Sequence, residues 1–348
     1  MSNILLYDAL EGAQHGPKGL DGFLDYIRQH GGAGGQPSNY MLERDGGKDF
    51  KGAGEIREAF DKRGLRIAGI SAHCPIWVHT TAWTGSKTIR PFIPAEIVQL
   101  SPQGIEEWAE NYVLHLLDLC AELRVFIVPM FWGVAFGWEV ATGYPWGFWQ
   151  GGDYDLIKEG EDRFVEKTKR IREHANQLGI YLAHERHPGT AARCSLEFNH
   201  LVKICDDDKC LAVNEDPSHD WEGASWEDEL LAVAERVYAC HVKNFVVRQG
   251  QCRRVRISDW PGRPMQFTDL PTGDINMTRY VETLIRVGYP ERYCRVMKTD
   301  KAPLVVEAES AYRDPDATSE NGLVFVRKHL CFPLAAGSFE KGMGAEKQ

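Results

Sequence analysis

Four apolar runs in the second half of the chain end in the same way, and this repetition constrains the fold more than any other feature. Residues 179–185, 210–216, 236–243 and 302–309 each contain a run of apolar, often β-branched side chains, which predicts a buried strand. Each run closes in carboxylates or an imidazole. If the runs are neighbouring parallel strands, their polar ends meet at one edge of one sheet.

The side chains at those ends form a chemically coherent set. They are three carboxylates and one imidazole: Glu185, Asp216, His241 and Glu307. Three anions do not share a small site without compensating charge, so we expect a divalent cation among them. A set of oxygen and nitrogen ligands without thiolate favours Mn²⁺, Mg²⁺ or Co²⁺ over a structural zinc ion.

The rest of the chain continues the alternation of strands and helices. The strongest helical periodicity covers residues 105–120. Eight strands, each followed by a helix, predict an α/β fold, the (β/α)₈ TIM barrel, with one domain over residues 1–331 and a polar tail over 332–348. A doubly wound open sheet is the alternative, although no glycine fingerprint follows the first strand. The four earlier strands are predicted at residues 4–7, 40–43, 65–73 and 125–130.

Two long connections rich in aromatic rings interrupt the alternation, at residues 74–100 and 131–149. Exposed large rings are costly, so we expect them to cover a ligand, a partner subunit or each other. Trp132 and Trp146 are candidates for stacking on a substrate, and a purely structural lid is the alternative. Arg248, in a third long loop, is a further candidate for substrate contact.

Several polar side chains near the strand ends are candidates for proton transfer or substrate binding. By strand alternation, His187, Lys243 and Glu309 each share a face with a predicted ligand two residues away. A salt bridge to a structural carboxylate is the alternative for Lys243. We expect His219 and His73 to reach the site and bind substrate, although a loop carbonyl would also satisfy His219.

Composition excludes some classes of function. The net charge of -10 argues against a nucleic-acid partner, and no apolar run is long enough to span a bilayer. The nine cysteines are odd in number and form no CxxC pair. We therefore expect a reduced, cytoplasmic enzyme.

The strand-end motifs resemble those of the xylose-isomerase-like superfamily of barrels, which contains sugar isomerases, ketose 3-epimerases, inosose dehydratases and related endonucleases. The matching pieces are Glu185, the Asp216-Pro-Ser-His219 segment, the His241-Val-Lys-Asn244 segment and the Glu307-Ala-Glu309 segment, in family order. The resemblance implies one divalent metal, most often Mn²⁺, that binds two adjacent oxygens of a keto sugar. It also implies substrate binding by His219. Asn244 stands where relatives commonly have an aspartate, and no second set of metal ligands indicates the endonuclease branch.

Within that superfamily, the size and the aromatic loops resemble the catalytic subunit of bacterial C-glycoside deglycosidases. This finer resemblance implies a lyase that cleaves the carbon–carbon bond of an aromatic 3-oxo-C-glycoside by enolate formation and elimination. It also implies a small β-sandwich-like partner subunit and hence a hetero-oligomer. A metal-dependent keto-sugar isomerase or epimerase is the alternative, and a non-catalytic sugar-binding barrel is a third hypothesis.

Overall fold

The computed structural model describes residues 5–45, 47–133, 156–222, 224–248, 262–310 and 312–332. Its centre is one curled sheet of eight parallel strands, which we number in chain order. They are β1 (Leu5–Glu11), β2 (Gly34–Gln36), β3 (Arg66–Ile67), β4 (Ile127–Met130), β5 (Tyr181–Glu185), β6 (Leu211–Glu215), β7 (Val237–Val242) and β8 (Lys301–Val306).

The strands follow one another around a barrel. Their order is β3, β2, β1, β8, β7, β6, β5, β4, and all paired neighbours are parallel. Just beyond β3, the N–H of Ala72 donates to the carbonyl of Pro129 in β4 at 2.8 Å, which links the two ends of the sheet. The predicted TIM barrel is confirmed, and the carboxyl ends of its strands share one face of the molecule.

Helices surround the barrel and bury their apolar faces against it. In the first, Leu20, Phe23, Leu24 and Ile27 are buried at the spacing of one helix face. The helices are Gly19–Gln29, Asn39–Leu42, Ala53–Asp61, His73–Ala82, Pro102–Glu122, Leu156–Leu178, Ser195–Ile204, Trp226–Ala232, Met277–Arg286, Tyr289–Met297 and Pro315–Phe325. Shorter turns cover Ala13–Lys18, Lys87–Phe92, Ile97–Gln99, Pro217–Glu222, Ala234–Arg236, Leu270–Thr272 and, as a π-helical turn, Val326–Leu330.

The second strand differs from its predicted position. Residues 40–43 were expected to form it, but Asn39–Leu42 is a short helix and β2 lies earlier, at Gly34–Gln36. A Cβ on Gly34 would lie 2.7 Å from the Tyr7 ring and 2.8 Å from the Arg66 carbonyl, so the strand fits only without side chains there. Hydrophobic periodicity does not detect a strand in which two of the three residues are glycine.

The connection predicted at residues 74–100 also contains more regular structure than expected. It opens with the helix His73–Ala82, whose residues are buried on nearly every side. The predicted helix at 105–120 is confirmed as Pro102–Glu122, and the Ser101 hydroxyl caps it by accepting from the N–H of Gly104 at 3.1 Å. Residues 134–155, which include most of the aromatic connection predicted at 131–149, and the tail from residue 333 onward lie outside the described residues.

A β-hairpin extends β7 over the barrel mouth, with strands Asn244–Val247 and Met265–Thr268. The Asn244 side chain anchors the start of this hairpin, because the Asn244 amide donates to the carbonyls of Leu270 and Ile275 at 2.8 and 3.0 Å. A short antiparallel pair, Glu43–Arg44 with Asp49–Phe50, lies outside the barrel sheet. Within the described residues, no helix combines the length and apolar character that crossing a bilayer requires.

Candidate metal centre

The four predicted ligands lie together at the carboxyl ends of consecutive strands. Glu185 ends β5, Asp216 follows β6, His241 lies in β7 and Glu307 follows β8. One ligand atom from each lies within 4.8 Å of the others. Nδ1 of His241 is 3.0 Å from Oε2 of Glu185 and 3.2 Å from Oε2 of Glu307. We call these four residues the ligand cluster.

The charges around the ligand cluster suit a divalent cation. Burial opposes ionisation of Glu185, but the imidazoles of His241, His219 and His73 hold the pKa of its carboxyl well below the usual range. Oδ2 of Asp216 is buried and accepts no well-directed hydrogen bond from the described residues, although Nε2 of His219 lies 3.3 Å away and Nζ of Lys243 lies 3.8 Å away. Three carboxylates and one imidazole, gathered around one point, fit the oxygen and nitrogen ligands that Mn²⁺ or Mg²⁺ takes.

The two histidines predicted to bind substrate both reach the ligand cluster. Nε2 of His73 lies 3.2 Å from Oε2 of Glu185, and its Nδ1 lies 2.6 Å from the hydroxyl of Ser71. Nε2 of His219 lies 3.0 Å from Oε1 of Glu185 and 3.3 Å from Oδ2 of Asp216. Although burial opposes the charge on His219, Asp216 and Glu185 raise the pKa of its imidazole to about 9.

Lys243 joins the ligand cluster to Glu309. Its Nζ lies 2.6 Å from Oε2 of Glu309, 3.1 Å from Oε2 of Glu307 and 3.8 Å from Oδ2 of Asp216. Although burial opposes the charge on Lys243, these carboxylates raise the pKa of its ammonium well above the ordinary value. The ammonium also lies 4.0 Å from the centre of the Phe267 ring. The alternative predicted for Lys243, a salt bridge, is therefore present in the site itself.

His187 lies beside the ligand cluster, half-buried, as a neutral imidazole. Burial, and then the neighbouring charge of His219, lower the pKa of its ring to about 3. Its Nδ1 is 2.6 Å from the Pro188 carbonyl, which only accepts, so Nδ1 carries the hydrogen and Nε2 keeps a lone pair. The ring packs between Phe131, at 4.9 Å, and His219, at 4.2 Å.

Two other residues that were predicted to contact the substrate do not lie at the ligand cluster, and a third lies outside the described residues. Trp132 is fully buried with its ring edge-on to Phe164 at 5.5 Å, so it belongs to the core. Arg248 is exposed at the end of the hairpin strand Asn244–Val247, where its N–H donates to the Pro264 carbonyl. Trp146 lies in the part of the chain that the structure does not describe.

Phe131 and Phe267 supply the aromatic surfaces that the structure does place at the site. Phe131 lies 4.4 Å from the His73 ring, and Phe267 lies edge-on to His219 at 5.8 Å. The sequence analysis proposed Trp132, from the same aromatic connection, as the stacking ring. The register of β4 decides instead that the ring one residue earlier faces the barrel mouth.

The first two strands contribute polar residues that the sequence prediction missed. Glu11 ends β1 and is buried, and burial raises the pKa of its carboxyl. The amide nitrogen of Gln36, at the end of β2, lies 2.9 Å from Oε2 of Glu11 and 3.0 Å from Nε2 of His241. The neighbouring Asn214 amide donates to Oε2 of Glu185 at 2.8 Å. Glu11 had a detectable signal, since it closes a mainly apolar run just as the predicted ligands do.

A buried charge network lies beside the ligand cluster and joins β5 to β6. The guanidinium of Arg186 donates to both oxygens of Glu215 at 2.7 and 2.8 Å, to Asp220 at 3.3 Å and to Glu229 at 2.8 Å. Arg186, Glu215 and Asp220 are almost fully buried. Because these residues adjoin Glu185, Asp216 and His219 in sequence, the network fixes the backbone that carries them.

Fold and site together define a class: an α/β barrel with a candidate divalent-metal centre at the carboxyl ends of its strands. The family model described as xylose isomerase-like TIM barrel matches residues 24–323. The chain therefore belongs to this family, which contains sugar isomerases, epimerases and related enzymes. A search of the curated proteins found no match.

Solved structures with the same fold differ widely from this chain in sequence. The probable 3-DHS dehydratase AsbF from Bacillus anthracis is 14% identical with a TM-score of 0.60, covering 93% of this chain and 99% of that one. D-allulose 3-epimerase from Methylomonas sp. in complex with D-allulose is 13% identical with a TM-score of 0.57, covering 95% and 99%. A xylose isomerase-like barrel protein from Mycobacterium smegmatis in complex with magnesium is 14% identical with a TM-score of 0.57, covering 92% and 95%.

Proposed function

We propose that the protein is a divalent-metal-dependent enzyme that enolises a keto sugar, with elimination of an aromatic C-linked substituent as the overall reaction. Glu185, Asp216, His241 and Glu307 would hold one cation, Mn²⁺ in the first instance, with Mg²⁺ or Co²⁺ as alternatives. The observation that carries the proposal is the convergence of these four ligand atoms within 4.8 Å. The magnesium complex of the Mycobacterium smegmatis barrel supports a divalent ion.

The residues around the ligand cluster supply the groups that enolisation requires. When bound, the cation would act as a Lewis acid on a ketone and its neighbouring hydroxyl, and so acidify the carbon that carries the hydroxyl. Nε2 of His187 has the free lone pair that accepts the proton from this carbon. The ammonium of Lys243 stabilises the negative charge that develops on the sugar.

The elimination step uses the electron pair that deprotonation leaves on the sugar. The pair released by deprotonation forms a carbon–carbon double bond in the sugar, and the bond from the anomeric carbon to the aromatic carbon breaks. The aromatic carbon keeps the electrons of that bond and takes a proton, a donation that we assign to the Lys243 and Glu309 pair. The AsbF relative, a probable dehydratase, supports an eliminating reaction on this fold.

The test is aglycone release from the 3-oxo-C-glucoside of a flavone in the presence of Mn²⁺, with and without a small β-sandwich-like partner subunit. His187→Asn should lower the rate at least about a hundredfold, because it removes the base. The matched control is His200→Asn, since His200 is an exposed histidine on a helix paired with Glu161. Absence of release by the wild type in both preparations would refute the lyase.

A keto-sugar isomerase or epimerase is the second candidate, and the structural similarity to the D-allulose 3-epimerase complex supports it. Such an enzyme would exchange a substrate hydrogen with solvent deuterium, or interconvert ketoses, without loss of an aglycone. Mass spectrometry of the 3-oxo-C-glucoside and of D-allulose after incubation in deuterium oxide separates the two reactions. A non-catalytic sugar-binding barrel would do neither, and its ligand affinity would survive Glu185→Gln and Glu307→Gln.

A further inference from the structure

Gln14, on the turn that follows β1, connects the ligand cluster to Glu309. Its Nε2 lies 3.3 Å from Oε1 of Glu307 and 3.2 Å from Oε1 of Glu309. Because carboxylate oxygens only accept, the nitrogen of the amide must face them. This fixes the orientation of the amide and leaves Oε1 of Gln14 as a hydrogen-bond acceptor.

That acceptor has no partner in the described part of the protein. Oε1 of Gln14 is buried, and no described residue donates to it. A buried amide oxygen without a donor destabilises a protein, so such a group is normally complemented by water or by a ligand. Gln14 therefore offers an unused acceptor beside a predicted metal ligand.

The turn that carries Gln14 is held on both sides. Before it, Oε1 of Glu11 accepts from the N–H of Ala13 at 3.2 Å, and a Cβ on Gly12 would lie 2.9 Å from the backbone nitrogen of Ser38. After it, the buried ring of His15 lies 2.9 Å from the hydroxyl of Ser319. The Gln14 amide is thus positioned before any ligand binds.

We propose that Oε1 of Gln14 accepts a hydrogen bond from a hydroxyl of a sugar substrate bound beside the ligand cluster. This deepens the proposed function and rests on it. The group that donates to Gln14 must be neutral. The ammonium of Lys243 already pairs with the same two carboxylates, Glu307 and Glu309, and would repel a second cation. Gln14 therefore selects a polyhydroxylated sugar over its deoxy analogue.

The test compares a 3-oxo-C-glucoside with its 4-deoxy analogue by calorimetric titration of the Mn²⁺-loaded protein. A His187→Asn reference protein prevents turnover of the probe, and Gln14→Met is added to it. The reference should bind the parent sugar about tenfold more tightly than the analogue, whereas Gln14→Met should bind both equally. The matched control is Gln103→Met, an exposed helix position whose amide donates to Glu107.

Each outcome decides a different question. An unchanged preference in both Gln14→Met and Gln14→Asn, which withdraws the amide by one methylene, would overturn the Gln14 proposal and leave the proposed function standing. Loss of Mn²⁺ from Gln14→Met would show that Gln14 serves only to hold Glu307, and would also overturn it. If the wild type releases no aglycone and the reference binds neither sugar, the proposed substrate class fails, and the Gln14 proposal with it.

Discussion

Replacing Arg186 by methionine should strongly destabilise the protein. The methionine roughly preserves the volume of the side-chain stem but removes a cation that bonds to Glu215, Asp220 and Glu229. Removing one member of a buried ion pair costs about 3–5 kcal/mol, because the remaining charge is left buried without compensation. We expect a loss of that size at pH 7.5, a large share of the total stability of an ordinary domain.

The loss should depend on pH in a definite direction. In the wild type, burial raises the pKa of Asp220 to about 7, although Arg186 opposes the shift. Without Arg186 this pKa rises further above its unfolded value of about 4. Between the two values the folded state binds a proton that the unfolded state does not, so stability increases as the pH falls. The deficit of the variant should therefore be smaller at pH 5.5 than at pH 7.5.

The assay is urea unfolding at 25 °C at both pH values, with EDTA present so that metal binding does not contribute. The control is Arg170→Met, which breaks an exposed pair with Glu110 and should cost less than about 1 kcal/mol. A loss below about 1 kcal/mol for Arg186→Met, or a deficit that grows toward pH 5.5, would refute the reasoning.

Two further predictions concern other buried polar groups. Gln36→Leu should weaken Mn²⁺ binding about 10- to 100-fold, because it removes the amide that contacts both Glu11 and His241, and an unchanged dissociation constant in calorimetry would contradict this. His79 is buried, and burial, with Lys167 adding to it, lowers the pKa of its ring to about 4. The unfolded state therefore takes up the proton first, and His79 should contribute up to roughly 3 kcal/mol of stability above pH 6.5 that is lost as the pH falls toward 4. Urea titrations of His79→Gln should show a correspondingly weaker pH dependence, and an identical profile would contradict the assignment.

The sequence predicted the second half of the barrel well because its strands carry two independent signals. An apolar run and an abrupt polar end coincide at Glu185, Asp216 and Glu307, and the first two of these carboxylates are buried. The first half lacks this agreement. Two of the three residues of β2 are glycine, and the helix His73–Ala82 is buried on so many sides that it has no polar face to produce helical periodicity.

The missed residue Glu11 has a different cause. Asp8 interrupts the apolar run of β1, so the strand was predicted to end at residue 7. In the structure Asp8 is buried and pairs with Arg327 at 3.0 Å, a residue 319 positions away. A partner so distant in sequence is invisible before the chain is folded, so the burial of Asp8 could not be predicted, although the apolar run on either side of it does end at Glu11.

The metal content of single-ligand variants tests the central claim most directly. Inductively coupled plasma mass spectrometry should find about one equivalent of Mn²⁺ in the wild type and in an exposed-carboxylate control, Glu58→Ala. We predict less than about a tenth of an equivalent in each of the four alanine variants of the ligand cluster. Stoichiometric metal in two or more of those variants would contradict the account, because the cation would then be held elsewhere.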